Sequence, residues 1–564
     1  MAQFDETFDW VVVGSGAGSM ASALLMRQAG KSVLILEKAD VVGGTTCKSG
    51  GVMWIPNNRF IAEDGESDSV EAAVTYLDAL QNLDGNPAPG STPEKRRAYA
   101  TQASKMIDFL IDNGIELQRG HHYWPDYYDE MPGGFKTTRT VVAKPFNLKE
   151  LGPWRKKLRK GFVEVNATLS EGMQLGHMRT NPNAKKTLAK IALRTIGDKL
   201  RGRQYTTAGA CLQGRLLKAA LEAGVDIRTE APVREIILDD AGKAVGVVAE
   251  TGGKAIRVGA NLGILVNAGG FAHNQAMRDK YIPGSQSKWS QTPKEDTGDM
   301  HIELERLGGV LAQMDQMVGF QMTEAPGWEK EYVMPGMQSV TAKPHAILVD
   351  QTGERYMNEG GSYELFCENM LKRDREVGAI PSWAIMDQQY AEKYQVAGKW
   401  IDKKIPKAWE GTGYLHKADT LEELAQSIGV PADKLKATVE RWNTFARAGK
   451  DEDFHRGERE YDKCGYVGDP FSEAKSIGTI EKAPFYSVSC VPGDVSTYGG
   501  VVTDEHSRVL RADGSVIEGL YATGVTTASP MGNVYPGAGA SVGPSMTFGW
   551  LAAKHAAGLD NQIA

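Results

Sequence analysis

Cysteine is scarce in this chain: five among 564 residues, at positions 47, 211, 367, 464 and 490, with no CxxC or other metal-type spacing. So sparse and odd a set excludes a disulfide framework and reads as reduced thiols in a cytoplasm. Basic charge is in deficit as well. The chain has 64 Lys and Arg against 71 Asp and Glu, a net charge of −7, which argues against a nucleic-acid partner, since such proteins are basic overall. No uncharged apolar run approaches the ~18 residues that a membrane span needs. The opening MAQFDETFDW is acidic, runs straight into a strand and shows no signal peptide. The ten histidines show no ligand spacing; His121 and His122 read as surface residues, and no metal is expected. What remains is a cytoplasmic chain, soluble or peripheral, long enough for two or more domains with their own cores.

The first thing present is a strand–turn–helix–strand unit, WVVVGSGAGSMASALLMRQAGKSVLILEK. Val11–Val13 is an apolar β-branched run suited to a buried parallel strand. The turn Gly14, Ser15, Gly16, Ala17, Gly18 follows, with a helix expected over 19–29. Gly14 permits the tight turn, and Gly16 lets backbone approach a pyrophosphate at the helix N-terminus. Glu37, followed by Lys38, closes the second strand where an acid accepts ribose hydroxyls. A second glycine- and hydroxyl-rich loop comes next, with Gly43, Gly44, Thr45, Thr46, Ser49, Gly50 and Gly51 suited to a second phosphate and a flat ring. Two further strands end in Ala-Gly or Ala-Thr-Gly, GILVNAGGF and GLYATGVTTA, which place Ala268, Gly269 and Gly524 in the same set. Val233, Ser541 and Val542 complete it. Three such elements fit FAD better than NAD.

With VVVGSGAG, the GGTT…SGG loop, AGG and GGVVTD…GLYATG, the chain resembles the FAD-dependent flavoproteins grouped with fumarate reductases and succinate dehydrogenases. The resemblance implies an α/β fold: a Rossmann-like FAD domain, discontinuous over 1–314 and 493–564, with an inserted α+β cap at 315–492. The 43–51 loop lacks the histidine of covalently flavinylated members, so the FAD is expected to be noncovalent. Where the fumarate reductases place an arginine, four residues after the glutamate of NE, Glu359 is followed by Tyr363. A phenol in place of a guanidinium implies a neutral substrate. Three tyrosine motifs, WPDYYDEMPGG, NEGGSYELF and VYPGAG, make the chain most similar to the 3-ketosteroid Δ1-dehydrogenases. The Δ4-(5α) desaturases of the same branch and a fumarate-reductase-like flavoprotein are the alternatives, and the DYY motif favours Δ1.

Desaturation beside a ketone removes a proton and a hydride. The proton becomes acidic when donors in a dry site stabilise the ketone oxygen as it gains enolate character, while a flavin takes the hydride because no side chain can. In YPGAG the Tyr535 hydroxyl and the Gly539 amide can converge on one oxygen, with proline stiffening the loop and glycine allowing close approach. A free tyrosine is a poor base near neutrality, with a pKa of about 10, but a second hydroxyl nearby can stabilise the tyrosinate. By resemblance, Tyr363 takes the proton from carbon 2 with Tyr127 assisting, and hydride passes from carbon 1 to flavin nitrogen 5. On sequence alone Tyr128 can exchange roles with Tyr127. An external electron acceptor, such as a quinone, must close the cycle. The stretch TGDMHIELERLGG (297–309) reads as a helix cap.

Residues 149–203 depart from the rest, with fourteen Lys or Arg against four Asp or Glu. Within them a helical pattern puts Leu188, Ile191, Ala192, Ile196 and Leu200 on one face, with Lys186, Lys190, Arg194 and Arg201 largely opposite. An amphipathic, basic, Trp-bearing stretch is what a membrane-surface contact requires. The same pattern also suits a helix packed on the FAD domain.

Overall fold

In the computed structural model, residues 3–81, 83, 88–120, 124–328 and 333–559 are described; His121 and His122 lie outside them. The β-branched run does form a buried central strand. Glu6–Val13 lies between Val33–Leu36 and Lys254–Val266, parallel to both, in an eight-stranded sheet. Val516–Ala522 continues the parallel order beside Lys254–Val266, and Asp226–Arg228 does so beside Val33–Leu36. The pairing brings Val13 level with Leu36 and Val266, and Val266 level with Ala522. Four strands therefore end together, and ligands of open parallel sheets bind outside such carboxyl ends.

Helix Ala17–Gln28 starts two residues before the expected position. It crosses the C-terminal helix Val542–Ala556 with no side chain between the backbones: a Cβ on Gly18 would sit 2.3 Å from Ser545 O, and one on Gly549 2.4 Å from Gly18 O. Gly18 was expected in the cofactor set; it serves this crossing instead and does not face the cavity.

The cap is built on an antiparallel sheet of Met317–Met322, Phe485–Thr497, Ser382–Met386 and Ala346–Val349. Its long strand Phe485–Thr497 runs without a break past Pro492, the expected end of the insertion. Helix Tyr363–Val377 packs across this sheet, against Met317–Met322 and Phe485–Thr497. A third, small sheet of Met53–Trp54, Thr140–Ala143 and Leu117–Arg119 backs the loop that precedes the C-terminal helix.

Candidate active site

One cavity of about 560 Å³ runs from the carboxyl ends of the parallel strands to the N-terminus of the cap helix. At its first end the glycine loop holds Gly14 at φ +92°, where a Cβ would sit 2.3 Å from Asn267 O. Gly16 is the N-cap of Ala17–Gln28 and brings no capping side chain; the Ala17 N–H donates to Thr46 Oγ1 at 3.4 Å, and the helix dipole is directed at the cavity, where it favours an anion. Ser15 ties the two glycine loops together. Its hydroxyl bonds Glu37 and accepts the Gly43 N–H at 2.8 Å. Glu37 also accepts the N–H groups of Ser15 at 3.1 Å and Ala39 at 2.9 Å. Burial pushes its carboxyl above the usual range against these donors, and its uncovered side faces the cavity rather than bulk water.

Most of the expected cofactor residues meet here: Gly14, Ser15, Gly16, Glu37, Lys38, Gly44, Thr45, Thr46, Ser49, Gly50, Gly51, Val233, Ala268, Gly269, Gly524, Ser541 and Val542 all line the cavity. Ala17 and Gly43 do not. Ala17 is buried in the first turn of its helix, and Gly43, at φ +111°, is turned toward Cys47 and Gln213. The stretch 297–309 corrects the capping expectation. Its helix starts at Asp299 on Gly298 in a left-handed conformation with no side-chain cap. Thr297 and Asp299 instead hold Lys38, each at 2.7 Å, and line the cavity.

Sequence reasoning missed Arg159, Lys48, Asn267 and Asp296, which also line this end. Arg159 reaches in from the basic insert and pairs with Glu295 at 3.1 Å. Lys48 is lowered to about 8 by burial and by Arg159, and burial pushes Asp296 up to about 7. Of these only Asn267 carried a signal, a polar residue ending the apolar strand ILVNAGG.

The helix N-terminus, the ribose-height carboxylate and the glycine backbone fit FAD. Replacing Glu37 with Ala removes a charged acceptor worth roughly 1.5–3 kcal/mol. The Glu37→Ala protein is expected to hold FAD about 10- to 100-fold more weakly, measured as flavin retained per chain after dialysis.

At the other end three phenols from distant segments gather. Tyr127 and Tyr363 have ring centroids 5.3 Å apart, Tyr363 and Tyr535 5.5 Å, and Tyr127 and Tyr535 6.0 Å. Each is placed by its own segment. The Tyr127 N–H donates to Pro536 O at 2.9 Å, and Tyr76 Oη donates to the same oxygen at 2.7 Å. Beneath Tyr127, Asp126 accepts from Trp54 Nε1 at 2.7 Å and pairs with Arg139 at 2.6 Å, and Arg139 also pairs with Asp68. Burial raises Asp126 to about 6 despite Arg139. Tyr363 opens the cap helix, with the Phe320 ring 5.5 Å away. Tyr535 Oη lies 3.0 Å from Ser541 Oγ. Gly539, at φ +89°, presses on Val52 and Met53, and its N–H finds no acceptor among the described residues.

Tyr127 and Tyr128 now separate. Tyr127 lines the cavity, whereas Tyr128 is buried outside it, under Arg459 at 5.3 Å. Burial pushes the phenols of Tyr127 and Tyr363 well above their ordinary value and raises Tyr535 less, because Ser541 and Tyr363 oppose the shift. Glu359 reaches none of them. It is buried between Arg355 at 2.8 Å and Arg456 at 3.2 Å, which engage its carboxylate.

A dinucleotide cradle opening onto a chamber lined by three clustered phenols is the site of a flavin-dependent oxidoreductase. The FAD binding domain family matches residues 9–542. A 3-oxosteroid 1-dehydrogenase of Mycolicibacterium smegmatis is 36% identical over 568 residues, 97% of each chain. A 4-oxocyclohexanecarboxylate 2-dehydrogenase of Sinomonas cyclohexanicum is 32% identical over 99% of this chain and 95% of that one. The crystal structure of a 3-ketosteroid Δ1-dehydrogenase from Sterolibacterium denitrificans, in complex with 1,4-androstadiene-3,17-dione, superposes with a TM-score of 0.90 at 32% identity over 98% of this chain and 100% of that one. The chain belongs to the FAD binding domain family, in the branch of the 3-oxosteroid 1-dehydrogenases. It is an FAD flavoprotein.

Proposed function

We propose that the protein removes hydrogen from carbons 1 and 2 of a 3-ketosteroid, leaving a 1,2 double bond. The observation that carries this reading is the gathering of Tyr127, Tyr363, Tyr535 and the Gly539 amide around one end of the cavity, where no charged side chain stands among the described residues. The Tyr535 hydroxyl and Gly539 N–H donate to the ketone oxygen and stabilise its developing negative charge. Tyr363 takes the proton from carbon 2, and the proton it loses to become a base is shared with Tyr127, so the pair titrates as a unit. Bound FAD supplies the two-electron acceptor for the hydride leaving carbon 1. The cavity lining holds no histidine or cysteine among the described residues, which supports noncovalent FAD. The reduced protein passes its electrons to an external acceptor.

A cyclohexanone carboxylate, named for the Sinomonas relative, is a second reading, and it finds no cation among the described residues of the tyrosine end. The test is anaerobic mixing of the purified protein with androst-4-ene-3,17-dione, following flavin absorbance and product. Bleaching with formation of the 1,4-diene is expected. Because burial holds the phenols above neutrality, the rate should rise about tenfold per pH unit between pH 6 and 9. No bleaching, or bleaching by the cyclohexanone carboxylate alone, overturns the reading.

The insert supports a contact with lipid. Helix Ala184–Leu200 buries Ala184, Thr187, Ile191 and Asp198, while Leu188, Leu193, Ile196 and Leu200 face solvent at 45, 71, 57 and 84% exposure. Of the residues expected on its apolar face, only Ile191 packs inward. Phe162, Leu169 and Met173 of the same insert line the cavity, and Phe162 is itself 43% exposed, so the apolar strip and the cavity wall belong to one segment. No helix among the described residues is long and apolar enough to cross a membrane. With Leu193 and Leu200 both changed to Asp, sedimentation with vesicles of anionic lipid should fall roughly tenfold or more, while turnover of a soluble steroid stays at the wild-type rate.

A further inference from the structure

Tyr127 has a closer aromatic neighbour than either phenol it meets in the cavity. The Tyr461 ring lies 4.3 Å from it, centroid to centroid, and is tilted by 32°. Tyr363 and Tyr535 stand at 5.3 and 6.0 Å. Tyr461 opens out of the short turn Glu460–Lys463, is fully buried and does not line the cavity. Both its ends are held. At the backbone, one oxygen of the buried Asp129 carboxylate accepts the Tyr461 N–H at 2.8 Å, and the other accepts the Glu460 N–H at 3.2 Å. Asp129 stands two residues after Tyr127. At the hydroxyl, Tyr461 Oη accepts from Gln338 Nε2 at 3.3 Å. The same nitrogen donates to Gly361 O at 2.8 Å, and Gly361 stands two residues ahead of Tyr363. A chain of bonds thus starts beside one phenol and ends beside the other, and none of its members lines the cavity.

We propose that Asp129 is a positioning residue: by holding Tyr461 against the Tyr127 ring it sets how Tyr127 faces Tyr363, and so how readily the two share a proton. The inference rests on the functional reading above for the roles of those two phenols. The Pro536 carbonyl fixes the Tyr127 backbone, but a backbone bond does not stop the ring from turning. A reacting side chain keeps its geometry when packing and further hydrogen bonds lock its rotamer. Tyr461 supplies that packing, and its own place depends on two backbone N–H groups that share one carboxylate, an anchor of charge-assisted bonds. Alanine at 129 leaves both N–H groups without their acceptor and frees the Tyr461 ring to draw back from Tyr127.

A double-mutant cycle on the FAD-loaded protein, read as kcat with androst-4-ene-3,17-dione, decides the matter. Asp129→Ala alone should lose about 10²-fold in kcat, with KM within about twofold and flavin per chain unchanged. In a Tyr127→Phe background the hydroxyl to be positioned is gone, and the same change should lower kcat by less than about threefold. A general loosening of the fold lowers kcat equally in both backgrounds, so additive losses overturn the proposal. Wild-type kcat in Asp129→Ala overturns it as well. If Asp129→Ala does not fold, Asp129→Asn, which keeps one acceptor, runs the same cycle with a first loss of about tenfold. Tyr461→Leu keeps the anchor and loses the ring, and should match the loss of Asp129→Ala; wild-type kcat there overturns the route through Tyr461. A wild type that bleaches with no ketosteroid overturns the functional reading and this inference with it, whereas bleaching with additive losses overturns this inference alone.

Discussion

Tyr363→Phe is expected to lower kcat by about 10²- to 10⁴-fold, the range for losing a general base, with little change in steroid affinity. The substitution deletes one oxygen. The ring keeps its neighbours Tyr127 at 5.3 Å and Phe320 at 5.5 Å, so the apolar wall that meets the steroid is preserved. The cofactor end is separate from this residue, so FAD content should be unchanged. The measurement pairs rapid anaerobic flavin bleaching by androst-4-ene-3,17-dione with a binding titration of the 1,4-diene product. A kcat within about tenfold of wild type would place the base elsewhere, because tyrosine contributes more than that when it moves the proton.

Gly539→Ala should be nearly as severe for a different reason. At φ +89° a Cβ would meet Val52 O at 2.3 Å, Val52 C at 2.5 Å and Met53 N at 2.7 Å, all backbone atoms. That backbone cannot give way: Met53 and Trp54 pair with Val141 and Thr140, and Trp54 N donates to Gly539 O at 3.2 Å. The loop must move instead, carrying its amide off the ketone oxygen. Loss of one such donor costs about 10²- to 10³-fold in kcat, and the forced conformation adds roughly 1–3 kcal/mol of strain. Tyr535→Phe, which removes the other donor without strain, should match the kinetic loss and keep the melting temperature. If Gly539→Ala melts earlier yet turns over normally, the amide is not a donor to substrate.

Much of this site was legible because its chemistry is written in short contiguous motifs. The first glycine loop, Glu37 and the three tyrosine segments each announce themselves within about ten residues, and the strand run Val11–Val13 fixes where the loop must lie. Arg159 was not legible, because its place depends on an insert folding back over the glycine loops, and no local spacing encodes that. Asp296 was hidden for a related reason: a lone acid in a turn carries no pattern until Gly270 is placed against it. Gly18 was misread because a glycine for helix crossing and a glycine for phosphate look alike in sequence; only the position of Gly549 tells them apart. Tyr127 and Tyr128 needed the Pro536 carbonyl, which fixes the backbone register of that segment. For helix Ala184–Leu200 the periodicity gave the apolar face, but which arc packs inward was decided by tertiary contacts.

The bare crossing of Gly18 and Gly549 fixes more than two helices. The helix that begins at the diphosphate loop and the one that follows the Tyr535–Gly539 loop are bolted together backbone to backbone, and Tyr127 hangs from the same frame through Pro536. The glycine loop, the Tyr535–Gly539 loop proposed to clamp the ketone and Tyr127 therefore share a single mount, while Tyr363, the proposed base, rides on the cap. On those proposed roles, a displacement of the cap away from the mount lengthens the path of the proton more than that of the hydride. Changes that displace the cap should accordingly enlarge the isotope effect from deuterium at carbon 2 and spare the one from carbon 1.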